Sequence, residues 1–394
     1  MLRRQFLRAG AIAPVVLARP PRSFAAEFDL VIKGGRVLDA AERMDRVADV
    51  AIRGGKIAAI RPNIASSSAG ELIEAGGKLV TPGLIDIHVH AADPALPPAQ
   101  ILATGVTSMV DGGSRGADNV DDLVKIAQGA PNRLRILVNI AHLGNAPGGR
   151  GELLEIENAD AGSARRAIER QRAWIVGIKA RLSRSVAAER DLEAVRRARQ
   201  AADPLKVPIM VHVGDTASPL PEILALLRPG DIVTHMYAPA PHGMLDDNGR
   251  VLPQVREARR RGVLFDFGNG RAAHFTWEVV ERAIQQDFLP DTISSDMTLA
   301  GRTDQVIDLP NVLSKFVLLG MPLDRVLACA TANAARAIPE FKSYGTLRPG
   351  AAADVAVLEL REGDFEFVDN YKGKRMGRRK LVPYAVVVGG KRAL

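Results

Sequence analysis

The sequence predicts an α/β chain: a (β/α)8 TIM barrel carrying a small composite β-sandwich built from both termini. Three observations predict it. Short, apolar, β-rich segments alternate with helical stretches through the middle of the chain, which implies a parallel sheet. Five of those segments carry a candidate metal ligand at or near the C-terminal end, where a barrel of this kind assembles its site. Both ends of the chain read instead as short strands with glycine turns.

The elements follow in order. Residues 1–25 read as a leader: Arg3-Arg4 before Gln5-Phe6-Leu7 resembles a twin-arginine export signal, followed by an apolar stretch too short to span a bilayer. Export of a folded chain to a bacterial periplasm is the expectation. Residues 26–81 read as the first part of the sandwich, with Gly34-Gly35 and Gly54-Gly55 as hairpin turns. Residues 82–342 read as the barrel. Residues 343–394 read as the second part of the sandwich, with strands DVAVLEL and YAVVVGG and a similar turn at Gly389-Gly390.

The barrel segments carry the chemistry. LVTPGLIDIHVH closes on His88-Val89-His90, and two histidines at i and i+2 share one side of a strand. A pair of imidazoles at a strand end is a ready pair of metal ligands. Lys179 follows in WIVGIKA, His212 in VPIMVH, His235 in DIVTH and Asp296 in DTISSD. The stretch DLEAVRRARQAA stands before His212 and PEILALLR before His235, the helices of successive βα units. His142 ends the apolar run LRILVNIAH and divides between a substrate contact and a structural histidine. Arg115 and Arg184 are candidates to hold a substrate carboxylate through their planar donor fork, against ordinary surface pairing. His242 reads as exposed, and His274 falls in a late loop. The glycines after Asp111 make no phosphate loop, because no Gly-Lys-Ser/Thr follows.

The chain resembles the amidohydrolase superfamily of metal-dependent hydrolases, in the branch near dihydroorotase, hydantoinase and the amidohydrolase/deacetylase proteins. The resemblance rests on FDLVIKGGRVLD, DVAIRGGKIAAI, GKLVTPGLIDIHVH and GTLRPGAAADVAVLEL, and covers almost all the chain beyond the leader. It implies a distorted barrel and two divalent metal ions. His88, His90 and Asp296 would hold one, His212 and His235 the second, and a carboxylated Lys179 would bridge them. It further implies hydrolysis by a metal-bound hydroxide, with Asp296 moving the proton. Nitrogen and oxygen ligands suit Zn²⁺, with Mn²⁺, Fe²⁺ and Co²⁺ as alternatives. Expected substrates are small carbonyl compounds: an N-acyl amino acid, an acyl ester of a hydroxy acid, or a cyclic amide. The rival expectation is a dihydroorotase-like scaffold without catalysis.

Composition excludes several classes. With 394 residues, 47% hydrophobic, the chain can bury a large core and resembles no disordered or fibrous protein. The net charge of +8 invites a nucleic-acid reading, but Arg3, Arg4, Arg8, Arg19 and Arg22 supply much of it from the leader. The other basic cluster, YKGKRMGRRK, reads as a solvated loop, with an anionic surface as the alternative partner. The lone Cys329 excludes an intrachain disulfide and reads as a buried structural thiol. The partners expected are a small-molecule substrate and, at most, further copies of the chain; neither nucleic acid nor stable membrane insertion is expected.

Overall fold

The computed structural model describes residues 26–145, 152–271 and 273–394. The leader expected at 1–25 lies outside them. Among the described residues no helix is long and apolar enough to cross a membrane.

Both chain ends enter one sheet. Strands β1 (Phe28–Asp39), β2 (Met44–Arg53), β3 (Lys56–Arg61), β4 (Ala69–Glu74) and β5 (Leu79–Pro82) come from the N-terminal side. Seven barrel strands intervene: β6 (Leu84–Val89), β7 (Val106–Gly116), β8 (Arg133–Asn139), β9 (Ile175–Arg181), β10 (Ile209–His212), β11 (Ile232–Thr234) and β12 (Leu264–Phe265). The chain then returns as β13 (Val355–Val368), β14 (Lys374–Val388) and β15 (Lys391–Arg392). The terminal sheet has eight strands, in the order β15-β14-β13-β5-β1-β2-β3, with β4 pairing β1. The antiparallel β5–β13 pair joins the two ends, matching Val80 with Val357. Leu30, Ile32, Val50 and Val80 of the first end and Val355, Val357 and Val387 of the second share one buried cluster.

Two local expectations are corrected here. Gly34-Gly35 is not a turn: it lies inside β1, where the register against β2 shifts between Ile32 and Gly35. Gly34 there adopts φ +68° and donates its N–H to Asp49 Oδ1 at 2.8 Å, which makes the pair a bulge fixed by a carboxylate. Gly54-Gly55 and Gly389-Gly390 do fall between consecutive strands. YKGKRMGRRK is not a loop either. From Lys374 onward it is the start of β14, and its exposed basic side chains reach acids on neighbouring elements, as Lys374 does Glu366 and Arg375 does Glu281.

The barrel strands run in the order β12-β11-β10-β9-β8-β7-β6, each parallel to the next. Helices alternate with them, among them Val120–Gly129, Ala161–Arg170, Asp191–Ala202 and Trp277–Gln285. Several starts are specified locally: Asp160 accepts the Ser163 N–H, and Thr276 accepts that of Val279. Residues 292–297 take the eighth position without forming a strand. They bridge Asp266 at Thr292, beyond β12, and Val89 of β6 at Met297, so the curled sheet closes as a distorted barrel. Ile85, Val176, Met210 and Ile232, near the starts of their strands, cluster with Ala334, Ile338 and Phe341 and fill that end of the ring. The polar candidates are left at the other end.

Candidate metal centre

His88 lies in β6 and His90 one residue past it. Lys179 lies in β9, His212 ends β10, and His235 is one residue past β11. Asp296 belongs to the closing segment. His235 (φ +64°) and Asp296 (φ +48°) both hold left-handed backbone, strained for residues with side chains, at the points where their segments turn inward. Asp86 fixes the second of these turns. Its carboxylate accepts the Ser295 hydroxyl at 2.5 Å and the Ser295 N–H at 3.1 Å.

The side chains converge in two groups. Ligand atoms of His88, His90 and Asp296 lie within 4.8 Å of one another, as do those of His212, His235 and His274. Asp296 stands between the groups, its Oδ1 3.1 Å from His90 Nε2 and its Oδ2 3.4 Å from His274 Nδ1. Lys179 Nζ lies 3.0 Å from His88 Nε2. The fit to a cation can be judged from what these atoms lack. His235 Nε2, His274 Nδ1 and Asp296 Oδ1 are buried without a hydrogen-bond partner. Buried polar atoms are almost always satisfied, so three orphans of lone-pair type facing one space are what a cation-binding set leaves when described as protein alone.

Electrostatics agree. Burial pushes His88, His212 and His235 well below the usual imidazole range, and His274 down to about 4, so all are neutral with a lone pair to offer. Burial brings Lys179 down to about 7, so a large fraction is the free amine at neutral pH.

Glycine makes room for this packing. A Cβ on Gly112 would strike the His88 ring, and one on Gly270 (φ +52°) would strike His274 and Asp296. The glycines after Asp111 thus serve the approach of a ligand and not a phosphate.

The cleft above these groups holds about 260 Å³, and Asn145, Arg181, Arg271 and Thr298 complete its walls. Arg181 donates to Glu152 at 2.9 Å and Arg271 to Asp304 at 3.2 Å. A larger recess of about 390 Å³, lined by Asp39, Arg43 and Arg336, holds none of the ligand candidates.

Other sequence candidates stand elsewhere. His142 does not line the cleft: it pairs with Asp118 at 2.6 Å and Asn158 at 3.2 Å. Arg184 faces outward to Glu189 at 3.0 Å. Arg115 lines a neighbouring recess that shares His90, Asn145 and Thr298 with the cleft. His242 is half-buried, its Nδ1 2.9 Å from the Thr216 carbonyl. Cys329 is buried, its thiol pushed up to about 12 by burial. Sequence reasoning missed Arg181 and Arg271, and placed His274 in a late loop without giving it a role. Arg181 was within reach, since it follows Lys179 by two residues on a strand, the spacing that paired His88 with His90. Arg271 and His274 sit between β12 and the next helix, where no periodicity marks the inward side.

The comparisons agree with this geometry. The sequence profile of the family described as "Amidohydrolase family" matches residues 79–393. A deacetylase of Enterococcus faecalis is 28% identical over 372 residues, covering 92% of this chain and 98% of that protein. The crystal structure of an adenine deaminase superposes with TM-score 0.84 at 29% identity, covering 93% of this chain and 99% of that one. That of a dihydroorotase superposes with TM-score 0.84 at 27% identity, covering 92% and 97%. Donor atoms grouped for metal at the open end of a distorted barrel, and a profile match across most of the length, together say that the chain belongs to the amidohydrolase family and is a hydrolytic enzyme.

Proposed function

We propose that the protein hydrolyses an amide or ester bond of a small, carboxylate-bearing acyl compound, using two divalent cations, zinc by preference. The observation that carries this reading is the pair of three-residue donor groups with Asp296 between them. His88, His90 and Asp296 would hold one cation and His212 and His235 the other, with Lys179 as a carbamate between them. Its low pKa leaves the free amine that carbamate formation requires. What such cations supply is acidified water and a polarised carbonyl.

The chain's own residues do the rest. Asp296 accepts the proton that water gives up as its oxygen bonds to the carbonyl carbon. It then returns that proton to the nitrogen or oxygen that leaves when the scissile bond breaks. Arg181 and Arg271, on the walls of the cleft, offer guanidinium forks to the substrate carboxylate, the role expected of Arg115 and Arg184. The deacetylase relative favours an acyl group on N or O over a ring amide.

The test is a screen of zinc-loaded protein against N-acyl amino acids, acyl esters of hydroxy acids and cyclic amides, with metal counted by elemental analysis. Turnover of an N-acyl amino acid or an acyl ester with about two cations per chain is expected, and Asp296→Asn should lower kcat by about 10²–10⁴-fold. A folded protein that takes up no metal would defeat the two-cation reading.

The domain reading joins 26–81 and 343–394 as one sandwich beside a barrel spanning 82–342; the shared terminal sheet supports it. Export through the twin-arginine route is inferred from the RRQFL motif. Arg3→Lys with Arg4→Lys should retain the protein in the cytoplasm on fractionation.

A further inference from the structure

The two histidines of the HVH motif are each backed by the same arrangement. His88 Nδ1 lies 3.1 Å from Thr234 Oγ1, and that hydroxyl donates to Asp266 Oδ2 at 2.8 Å. His90 Nδ1 lies 2.8 Å from Ser114 Oγ, and that hydroxyl donates to Asp111 Oδ2 at 2.8 Å. The two sets come from different segments. Thr234 ends β11 and Asp266 follows β12, while Ser114 and Asp111 both lie in β7.

Donor accounting fixes the protons. A hydroxyl has one hydrogen to give. Asp111 also receives the backbone N–H groups of Ala91 and Ser114, each at 2.8 Å, and these can only donate. Asp266 also receives the hydroxyls of Thr292 at 2.8 Å and Ser294 at 2.6 Å. Asp111 is therefore an acceptor, and Asp266, as a carboxylate, can only accept from the three hydroxyls around it. Once Thr234 and Ser114 have given their hydrogen to these carboxylates, each hydroxyl has only lone pairs left for the imidazole behind it. Each ring must then carry its hydrogen on Nδ1, and a neutral imidazole so protonated has its lone pair on Nε2. Nε2 of His88 and of His90 faces Asp296, 3.4 and 3.1 Å from Oδ1.

We propose that Asp266 and Asp111 are positioning residues of the metal centre: acting through Thr234 and Ser114, they lock His88 and His90 as Nδ1–H tautomers, so that both Nε2 lone pairs already face the cation site in the metal-free protein. This rests on the hydrolase reading above. Neither carboxylate touches the reacting atoms. Their effect is that neither His88 nor His90 has to move a proton or turn its ring when metal enters. Partners of this kind behind ligating histidines typically contribute about 10–100-fold in metal affinity. Asp266 also holds Thr292 and Ser294 of the closing segment, so changing it would disturb Asp296 as well; the hydroxyls are the cleaner place to intervene.

The test uses Thr234→Val, Thr234→Ser and Ser114→Ala in the full chain. Imidazole ¹⁵N spectra of the metal-free protein, labelled at its seven histidines, should show His88 and His90 with Nδ1–H. Thr234→Val should release His88 alone into mixed tautomers, and Ser114→Ala should release His90 alone. Zinc affinity, measured by chelator competition, should fall about 10–100-fold in each while the melting temperature of the metal-free form changes little. Thr234→Ser should keep the wild-type spectrum and affinity. Wild-type zinc affinity in both Thr234→Val and Ser114→Ala, an Nε2–H tautomer in the wild type, or a Thr234→Ser protein as weak as Thr234→Val would each overturn the proposal. If Thr234→Val or Ser114→Ala does not fold, the spectra of the wild type and Thr234→Ser still decide. A wild type that takes up no zinc defeats the hydrolase reading instead, and the metal-free spectra then judge the tautomers separately.

Discussion

Lys179 shows how burial turns an ordinary side chain into a reagent. A lysine ammonium has no lone pair, but one enclosed beside His88 and Met210, with its pKa brought down to about 7, spends much of its time as a nucleophilic amine. If its carbamate is the bridging ligand, Lys179→Ala should lose nearly all turnover. Formate or acetate in the vacated space should restore part of it, in proportion to anion concentration. Full activity without added anion would remove the bridge. His142 illustrates the opposite case, a histidine whose charge serves stability. Its hydrogen bond to Asp118 raises its pKa above the usual imidazole value. A raised folded-state pKa means that the contribution is complete below the unfolded value, about 6.5, and is lost as pH climbs through the folded one. Both groups are partly exposed, so the size is that of a surface pair. Asp118→Asn should cost at most about 1 kcal/mol near pH 5 by urea unfolding, and close to nothing at pH 9.

Strands and turns differ in how plainly the sequence announces them. His88, His90, Lys179, His212, His235 and Asp296 were legible because each follows an apolar run, and alternation along a strand fixes which side its residues take. Gly34-Gly35 was misread because a bulge and a hairpin use the same residue type; only the distant Asp49, which receives the Gly34 N–H, separates them. The β14 segment looked like a loop because both its faces carry charge, whereas its pairing with β13 is a matter of backbone. Residues 292–297 look like a strand and are none: Thr292 and Ser294 bond to Asp266 and Ser295 to Asp86 through their side chains. His274 could be placed in a late loop but given no role, since a loop residue acquires its neighbours only when the ring is complete. Gly112, by contrast, carries a prediction for the whole of β7. Gly112→Ala must displace the His88 ring or the strand, so zinc content should fall more steeply than thermal stability, measured on the same preparation. Unchanged zinc uptake would show that β7 has slack the packing does not suggest.

At the scale of the molecule, the cations and the fold should be thermodynamically linked. The grouped ligand atoms come from β6 and the residue after it, β10, the residue after β11, the loop that holds His274, and the closing segment. No unfolded chain holds that set together, so a cation binds the native state alone. Each site at a free metal concentration 100 times its dissociation constant adds about 2.7 kcal/mol. Removing metal with a chelator should therefore lower the melting temperature by several degrees, and restoring zinc should reverse it. A melting temperature indifferent to chelator would mean that the donors bind no cation tightly.

The side chains that seal the ring meet across 209 positions of sequence, Asp86 on the first barrel strand and Ser295 in the last segment. Contacts of such separation are among the slowest to form, because loop-closure entropy is spent before they reward it. Asp296 is the next residue. A ribosome delivering this chain from its N-terminus releases the HVH pair early and the carboxylate that completes it some two hundred residues later. The centre is thus among the last parts of the molecule to exist, and the chain must travel most of its way to the native state before it can take up metal as the finished enzyme does.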